Sequence, residues 1–463
     1  MDDLPDLQTT EEGRQYEKNI MLVLNGEKKD YPSYYGGFKI ASGNEFVVSS
    51  PIDDTIRYGI FQEPEDGIMV EAVTAAVKAQ AEWAKVPSAD RAAYFEAPLA
   101  NITARRLFFA AAVTVSTGMV REDAVREVDT LIDIMKKAID DGKKGSLKAP
   151  TGVWAIISAH NSPFAAPVGY AVAAMIAGNS VIMNPSKYCP YPAYLFYNLM
   201  DKANLPGGVL NLIVDRKDVS TEELANDMRV KGVVATGSGE RLEDLMFLQV
   251  DDELAFVNEI KGMNPAVVYR PSDMKATVRD ILESAFAYSG QRPFSCSKVI
   301  VTADEQRAFT DKLLEALKDI SVDDPVNDTA FTGPIISRDA EKKYNELLMN
   351  NAGFVIAKAS PKRDVPDGPY VPLAVLSGLG EEDDLNYMDS GFPILSIKVV
   401  ASLDEAMAEL EDTECGLSAG MFSKDAKAID RFKTTVDVPL TYVNCSSRTL
   451  VPGLYANVSR FTE

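Results

Sequence analysis

From residue 150 onward the chain alternates short runs of β-branched and aliphatic residues with longer helical segments, and no other feature constrains its fold as strongly. Residues 152–158, 180–184, 209–215, 231–235 and 254–259 read as strands, and 164–177, 192–203, 221–228 and 240–249 as the helices between them. Such alternation predicts an α/β fold with a mostly parallel, doubly wound sheet, whose ligands sit beyond the carboxyl ends of the strands. A second α/β unit follows, with helices expected at 277–289, 303–319, 338–352 and 403–410 and strands at 296–302, 354–357 and 395–400. Upstream, 70–83, 89–105 and 121–139 carry apolar residues at helical spacing, with Gly142 closing the region, and residues 1–50 read as a polar tail followed by short strands. The expected organisation is one α/β unit over 20–260, a second over 261–440 and a short C-terminal tail, 441–463.

Composition excludes several classes. At 463 residues the chain has length for roughly three structural units of ~150 residues. Lys plus Arg total 47 against 69 Asp plus Glu, a net charge of −22, and no basic run is long enough to neutralise a row of phosphates; this argues against nucleic acid and against an anionic membrane surface. The apolar stretch 164–183 approaches a membrane span in length, but Pro167, Gly169, Gly178 and Asn179 interrupt it, so a buried helix and strand is expected. The acidic N-terminus has no secretory leader pattern, and a cytoplasmic location is expected. Cys189, Cys296, Cys415 and Cys445 lie far apart and His160 is the single histidine, which argues against zinc knuckles, disulfide frameworks and multi-histidine metal sites.

Six segments carry candidate chemistry. PTGVWAIISAHNSP (150–163) brings Ser158 and Asn161 to a strand exit, where an aimed amide N–H stabilises a developing alkoxide; Asn161 is equally a turn residue before Pro163. AGNSVIMNPSK (177–187) closes a helix at Gly178 and presents Asn184, Pro185 and Lys187 after a strand. VVATGSGER (233–241) places Gly237 and Ser238 at a strand end, where backbone N–H groups suit a pyrophosphate, although glycine and serine also make ordinary turns. NEIKGMNPAVV (258–268) supplies Glu259, FAYSGQRPFSCSKVIV (286–301) supplies Cys296, and MDSGFPILSI (388–397) with ECGLSAGMFSKD (414–425) supplies Asp389.

Taken in order, these segments resemble the aldehyde dehydrogenase superfamily, including its pyrroline-carboxylate dehydrogenases, over about residues 65–450. The resemblance implies two doubly wound α/β domains, a Rossmann-like dinucleotide-binding domain over 20–260 and a catalytic-type domain over 261–440, with the tail 441–463 as a candidate oligomerisation strand and a reduced oligomerisation hairpin because DDGKKGSLKAP is short. It also implies an NAD(P)-dependent aldehyde oxidoreductase with Asn161 as oxyanion donor, Glu259 as the base that activates water, and a homo-oligomer as the prior assembly. By the same resemblance Ser158, Asn184, Pro185, Lys187, Gly237, Ser238 and Asp389 face the dinucleotide.

Several positions depart from the family pattern. Asn184 replaces a lysine, and Lys187 an acidic residue; an ammonium suits a 2′-phosphate, which favours NADP over NAD, while a solvated surface charge is the alternative. Lys261 replaces a glycine, Asp389 a glutamate and Gly391 a phenylalanine. Pro293 falls at the nucleophile's place and has neither a nucleophilic atom nor a backbone N–H. Cys296, three residues on, is either a displaced nucleophile or a buried structural thiol. Three readings follow: an oxidoreductase using Cys296; a catalytically inactive homologue acting as a nucleotide-binding sensor or structural subunit; and a cofactor-free hydrolase in which Glu259 activates water. The ligand is a small-molecule aldehyde or a nucleotide.

Overall fold

The computed structural model describes residues 11–24, 30–40, 42–65, 67–145, 147–216, 219–237, 254–413, 416–453 and 455–463. It divides into two compact units: residues 1–117, 121–259 and 452–463 form the first, and 118–120 with 260–451 the second.

In the first unit the strands are β1 (Asp30–Tyr31), β2 (Ser33–Tyr35), β3 (Phe38–Ile40), β4 (Glu45–Ser50), β5 (Asp53–Gln62), β6 (Val153–Ser158), β7 (Ser180–Asn184), β8 (Leu210–Leu212), β9 (Val230–Gly237) and β10 (Ala255–Ile260). The main sheet runs β10-β9-β6-β7-β8-β2-β3, and a small one runs β1-β5-β4. β6 pairs in parallel with both β7 and β9. The chain steps from β6 to β7 and β8 on one side and then returns to place β9 on the other, so the β6–β9 boundary is a topological switch point. β6 and β7 are buried along their whole length, the pattern of strands covered on both faces. The all-buried helix Ala165–Ala177 follows β6 and ends at Gly178 with φ +107°, a left-handed stop that favours glycine.

The N-terminal region departs from expectation. Glu11–Leu24 is a helix where a polar tail was expected, packing Tyr16, Ile20 and Val23 inward. The helix expected over 89–105 is broken into Ser88–Ala93 and Glu96–Ala104, and Arg106–Thr117 adds a further one, buried from Phe109 to its end and so without an amphipathic signature. The helix Arg121–Lys144 continues through Gly142, whose missing side chain admits Ile176 and Ala92. The expected helix at 240–249 lies outside the described residues. Arg121–Lys144 is followed in sequence by β6 from Val153, and Pro150 between them makes an isolated bridge to Thr462.

The second unit contains β11 (Ala266–Val268), β12 (Lys298–Thr302), β13 (Val355–Ala359), β14 (Leu373–Ser377), β15 (Ile394–Val400), β16 (Ser418–Phe422) and β17 (Leu440–Val443). Their order is β13-β14-β15-β12-β11-β16-β17, parallel except for β13. One core layer gathers Ile281, Phe286, Cys296, Val299, Phe309, Leu373 and Tyr442. The segment after 440 is not a separate tail. Leu440–Val443 is the edge strand of this sheet, whereas 452–463 belongs to the first unit, where Phe461 packs edge-on to Trp154 with ring centroids 4.6 Å apart. No helix among the described residues is long and apolar enough to cross a membrane.

Candidate active site

The carboxyl ends of β6 and β9 form one cluster in the first unit. Ser158 and Thr236 are register partners there, and Ala159 N–H donates to Thr236 O at 3.1 Å. Thr236 is 2% exposed, yet its hydroxyl has no hydrogen-bond partner among the described residues. Asn161, 4% exposed, has neither its amide oxygen nor its amide nitrogen paired. Buried polar atoms are nearly always satisfied, so these two side chains stand out among the described residues at this strand end. Asn161 is held there from behind. Glu127 Oε1 accepts from Ser162 Oγ at 2.8 Å and from the N–H groups of Phe164 and Ala165 at 3.0 and 2.8 Å, pinning the turn onto the start of helix Ala165–Ala177.

The segment after β7 stands differently. Asn184 Nδ2 donates to Ile213 O at 3.0 Å, so this amide ties two strand ends together. Pro185 follows, buried. Lys187 is half-buried; its Nζ donates to Arg216 O at 3.2 Å and lies 5.6 Å from the Tyr188 ring centroid. His160 meets the same ring edge-on with centroids 6.4 Å apart. Gly237, with φ +131°, ends β9, and Ser238 lies outside the described residues.

Glu259, near the end of β10, is 1% exposed. Its Oε2 accepts from Tyr170 Oη in a short bond, and its Oε1 accepts from Gly453 N–H at 2.8 Å. Burial first, and then the adjacent Glu259 charge, push the Tyr170 phenol well above its ordinary range, so it stays a donor. Oε1 thus fastens Gly453, while the Tyr170 hydroxyl bound to Oε2 accepts in turn from Tyr455 N–H at 3.4 Å, and Asn179 Nδ2 holds the same segment through Phe461 O at 2.8 Å.

In the second unit the segment between helix Met274–Phe286 and β12 is buried throughout residues 287–297. Tyr288 and Ser289 both have φ 50°, the left-handed region that non-glycine residues rarely occupy, and Gly290 follows with φ +69°. Asn264 Nδ2 donates to Pro293 O at 3.0 Å and Ser295 O at 3.2 Å, while its Oδ1 accepts from the N–H groups of Leu417 and Ser418 at 3.1 and 2.9 Å. One amide thus ties three loops. Pro293 sits inside this strapped segment. Cys296 is 1% exposed in the apolar core; its N–H donates to Ser284 O at 2.9 Å and its Sγ to Lys298 O at 3.3 Å. Burial pushes its thiol up to about 12.

Lys261 and Asp389, both departures from the family pattern, meet. Their side chains are 2% and 4% exposed, and Lys261 Nζ lies 2.9 Å from Asp389 Oδ2. The same Nζ donates to Gly290 O at 2.8 Å and to Asp389 Oδ1 at 3.1 Å. The acceptor expected to face a ribose is therefore engaged by a cation of the chain itself. No group of three or more His, Cys, Asp or Glu side chains suited to a metal ion occurs among the described residues.

The aldehyde dehydrogenase family model matches residues 39–454. The chain belongs to the aldehyde dehydrogenase family. Its relatives include a 1-pyrroline-5-carboxylate dehydrogenase from Geobacillus, 24% identical over 450 residues, 93% of this chain and 87% of that one. An α-ketoglutaric semialdehyde dehydrogenase from Bacillus subtilis is 26% identical over 444 residues, 91% of each chain. Among solved structures, a 1-pyrroline-5-carboxylate dehydrogenase from Thermus with bound NAD superposes with a TM-score of 0.89 at 20% identity, covering 96% of this chain and 91% of that one, which establishes the shared fold.

The motifs located Asn161, Glu259, Lys261 and Asp389, but sequence reasoning missed Tyr170, Thr236, Asn264 and Glu127. Tyr170 is the lone hydroxyl on a helix otherwise read as apolar, and Asn264 lies within a quoted motif; both signals were present, whereas the partners that give them meaning lie 89 and 153 residues away.

Proposed function

We propose that this family member binds a carbonyl compound and an adenine dinucleotide but does not carry out a cysteine-dependent oxidation. The observation that carries the reading is Cys296: a thiol in the apolar core, raised to about 12, with Pro293 in the segment where the family nucleophile is expected. At neutral pH its thiolate fraction is about one in a hundred thousand, too small for an efficient attack. This corresponds to the homologue acting as a nucleotide-binding sensor or structural subunit.

The carbonyl half of the reading rests on Asn161, whose unpaired amide offers a donor to an oxygen. The adenosine half rests on the switch-point crevice, where the orphaned Thr236 hydroxyl marks a missing partner and Ser158, Asn184, Pro185, Lys187 and Gly237 line the strand ends. Lys187 favours a 2′-phosphate, hence NADP over NAD. The other half of a dinucleotide is less well served. Asp389, its expected ribose acceptor, is already paired with Lys261. A Glu259-driven hydrolysis is disfavoured because both carboxylate oxygens already accept hydrogen bonds from the chain.

Calorimetric titration of the intact chain with NADP, NAD and NMN tests this reading. Saturable binding of NADP, weaker binding of NAD and none of NMN is expected. Equal affinity for NADP and NAD refutes the role of Lys187, and absence of binding by either refutes the nucleotide reading.

A further inference from the structure

We propose that the first unit binds a small organic ammonium in the cavity at the carboxyl end of helix Tyr191–Lys202. The cavity holds about 400 Å³, and its walls are the last turns of that helix, the loop into β8 and the turn between β2 and β3. Leu210, which lines it, is the first residue of β8, a strand parallel to β7. The cavity therefore opens at the amino end of β8, whereas Ser158 and Asn184 mark the carboxyl ends of the parallel strands. It is separate from the crevice assigned to a nucleotide and does not depend on that reading.

The sequence builds the cavity locally. Tyr197, Met200 and Asp201 stand at i, i+3 and i+4, on one face of the helix. The helix then stops at Asn204, whose φ of 56° is left-handed. Asn204 N–H donates to Asp201 O at 2.9 Å and Leu205 N–H to Met200 O at 3.1 Å, the paired closure of a Schellman end. This stop turns Asn204, Leu205 and Pro206 towards the space that the helix face already borders. On the far side Gly207 packs so closely on the β2–β3 turn that a Cβ would lie 2.5 Å from Gly36 O, so the two walls meet with no side chain between them.

The lining selects a cation. Asp201 is the only charged side chain that borders the cavity, and among the described residues its carboxylate has neither an ion pair nor a hydrogen bond. It also stands in the last turn of its helix, where the negative end of the dipole disfavours a carboxylate; a bound cation offsets both costs. Tyr197 is fixed beside it by stacking on Tyr34, with ring centroids 4.1 Å apart. Burial first, and then the Asp201 charge, push the Tyr197 phenol up, so the two groups share one surrounding. The net charge of −22 draws cations to the chain as a whole. Size decides which kind. A volume of about 400 Å³ is that of a small-molecule site, and one carboxylate above Met200, Leu205 and Leu210 falls short of the about six oxygens that a magnesium or calcium ion gathers. An ammonium head only donates, to acceptors such as Asp201 and the Asn204 amide, and a short alkyl chain covers the apolar side.

Saturation-transfer NMR on the full chain tests this with n-butylammonium, 1-butanol and butyrate, which share a chain length and differ in the head. Butylammonium is expected to titrate saturably and to bind more tightly than 1-butanol, with no transfer to butyrate. Asp201→Asn keeps the shape and removes the charge, and should weaken butylammonium about fivefold, the upper range for one exposed charge pair. Asp201 is exposed, so this variant should melt no lower than the parent chain. Asp304→Asn, at an exposed position of the second unit, changes the net charge equally and should leave the affinity unaltered. Equal weakening by the two variants would assign the binding to net charge alone and overturn the inference. Absence of butylammonium binding, or binding no tighter than that of 1-butanol, overturns it as well.

Discussion

The position of Cys296 leads to a direct chemical prediction. Its side chain is 1% exposed, within the core cluster that also holds Ile281, Phe286, Val299 and Tyr442, and burial raises its thiol from 9.0 to about 12. At pH 8 such a thiol is about one part in ten thousand thiolate, whereas a free cysteine with pKa near 8.5 is about one quarter ionised, a ratio of about two thousand. Iodoacetamide should therefore alkylate Cys296 in the folded chain about a thousandfold or more slowly than the same residue in denaturant, measured by timed quenching and peptide mapping. The thermodynamic counterpart has a definite sign. The folded thiol prefers its neutral, protonated form, so the stabilisation is fully present below the unfolded pKa, near 9, and is lost as pH rises towards about 12. Over those three units the loss approaches about 4 kcal/mol, and a Cys296→Ala chain should lack this component when unfolding midpoints are compared from pH 8 to 11. Rapid alkylation of Cys296 in the folded state, slowed by an added aldehyde, would refute the placement and restore thiol catalysis.

Other expectations follow from the same geometry. Tyr170→Phe removes the donor to a buried carboxylate and should cost about 1.5–3 kcal/mol, with faster hydrogen exchange across 452–463 by mass spectrometry; unchanged exchange there would contradict the fastening role of Glu259. Asn264→Ala leaves the carbonyls of Pro293 and Ser295 and the N–H groups of Leu417 and Ser418 without their partner, and should cost about 3 kcal/mol or more in denaturant unfolding; a loss within 0.5 kcal/mol, the usual range for surface substitutions, would show that the loops hold without it. Lys187→Glu should reverse the order of NADP and NAD in calorimetry, and an unaltered order would assign Lys187 to the surface.

The second half of each α/β unit was legible because burial on both faces writes itself as uninterrupted aliphatic runs, as in Ser180–Asn184 and Ile394–Val400. Three-residue strands such as Ala266–Val268 are too short to carry a period, and helix Arg106–Thr117 is buried on every side from Phe109 to its end, so neither showed an amphipathic pattern. The turn-forming motifs located Gly178 and Gly237 because their φ of +107° and +131° favours glycine. Pairings at long separation were not legible. Lys261 and Asp389 are 128 residues apart, and each alone reads as a departure from the family pattern; only together do they read as one device. The C-terminal segment was illegible for the same reason, since its anchors, Asn179 and Glu259, lie far upstream.

The central claim is that this aldehyde dehydrogenase-family chain binds its ligands without thiol-dependent oxidation. Its most direct test is absorbance at 340 nm with the purified chain, saturating NADP or NAD, and a panel of semialdehydes and simple aldehydes, run beside Cys296→Ser. The account predicts no reduced cofactor above the enzyme-free rate in either protein. Aldehyde-dependent formation of reduced cofactor that disappears in Cys296→Ser would contradict it.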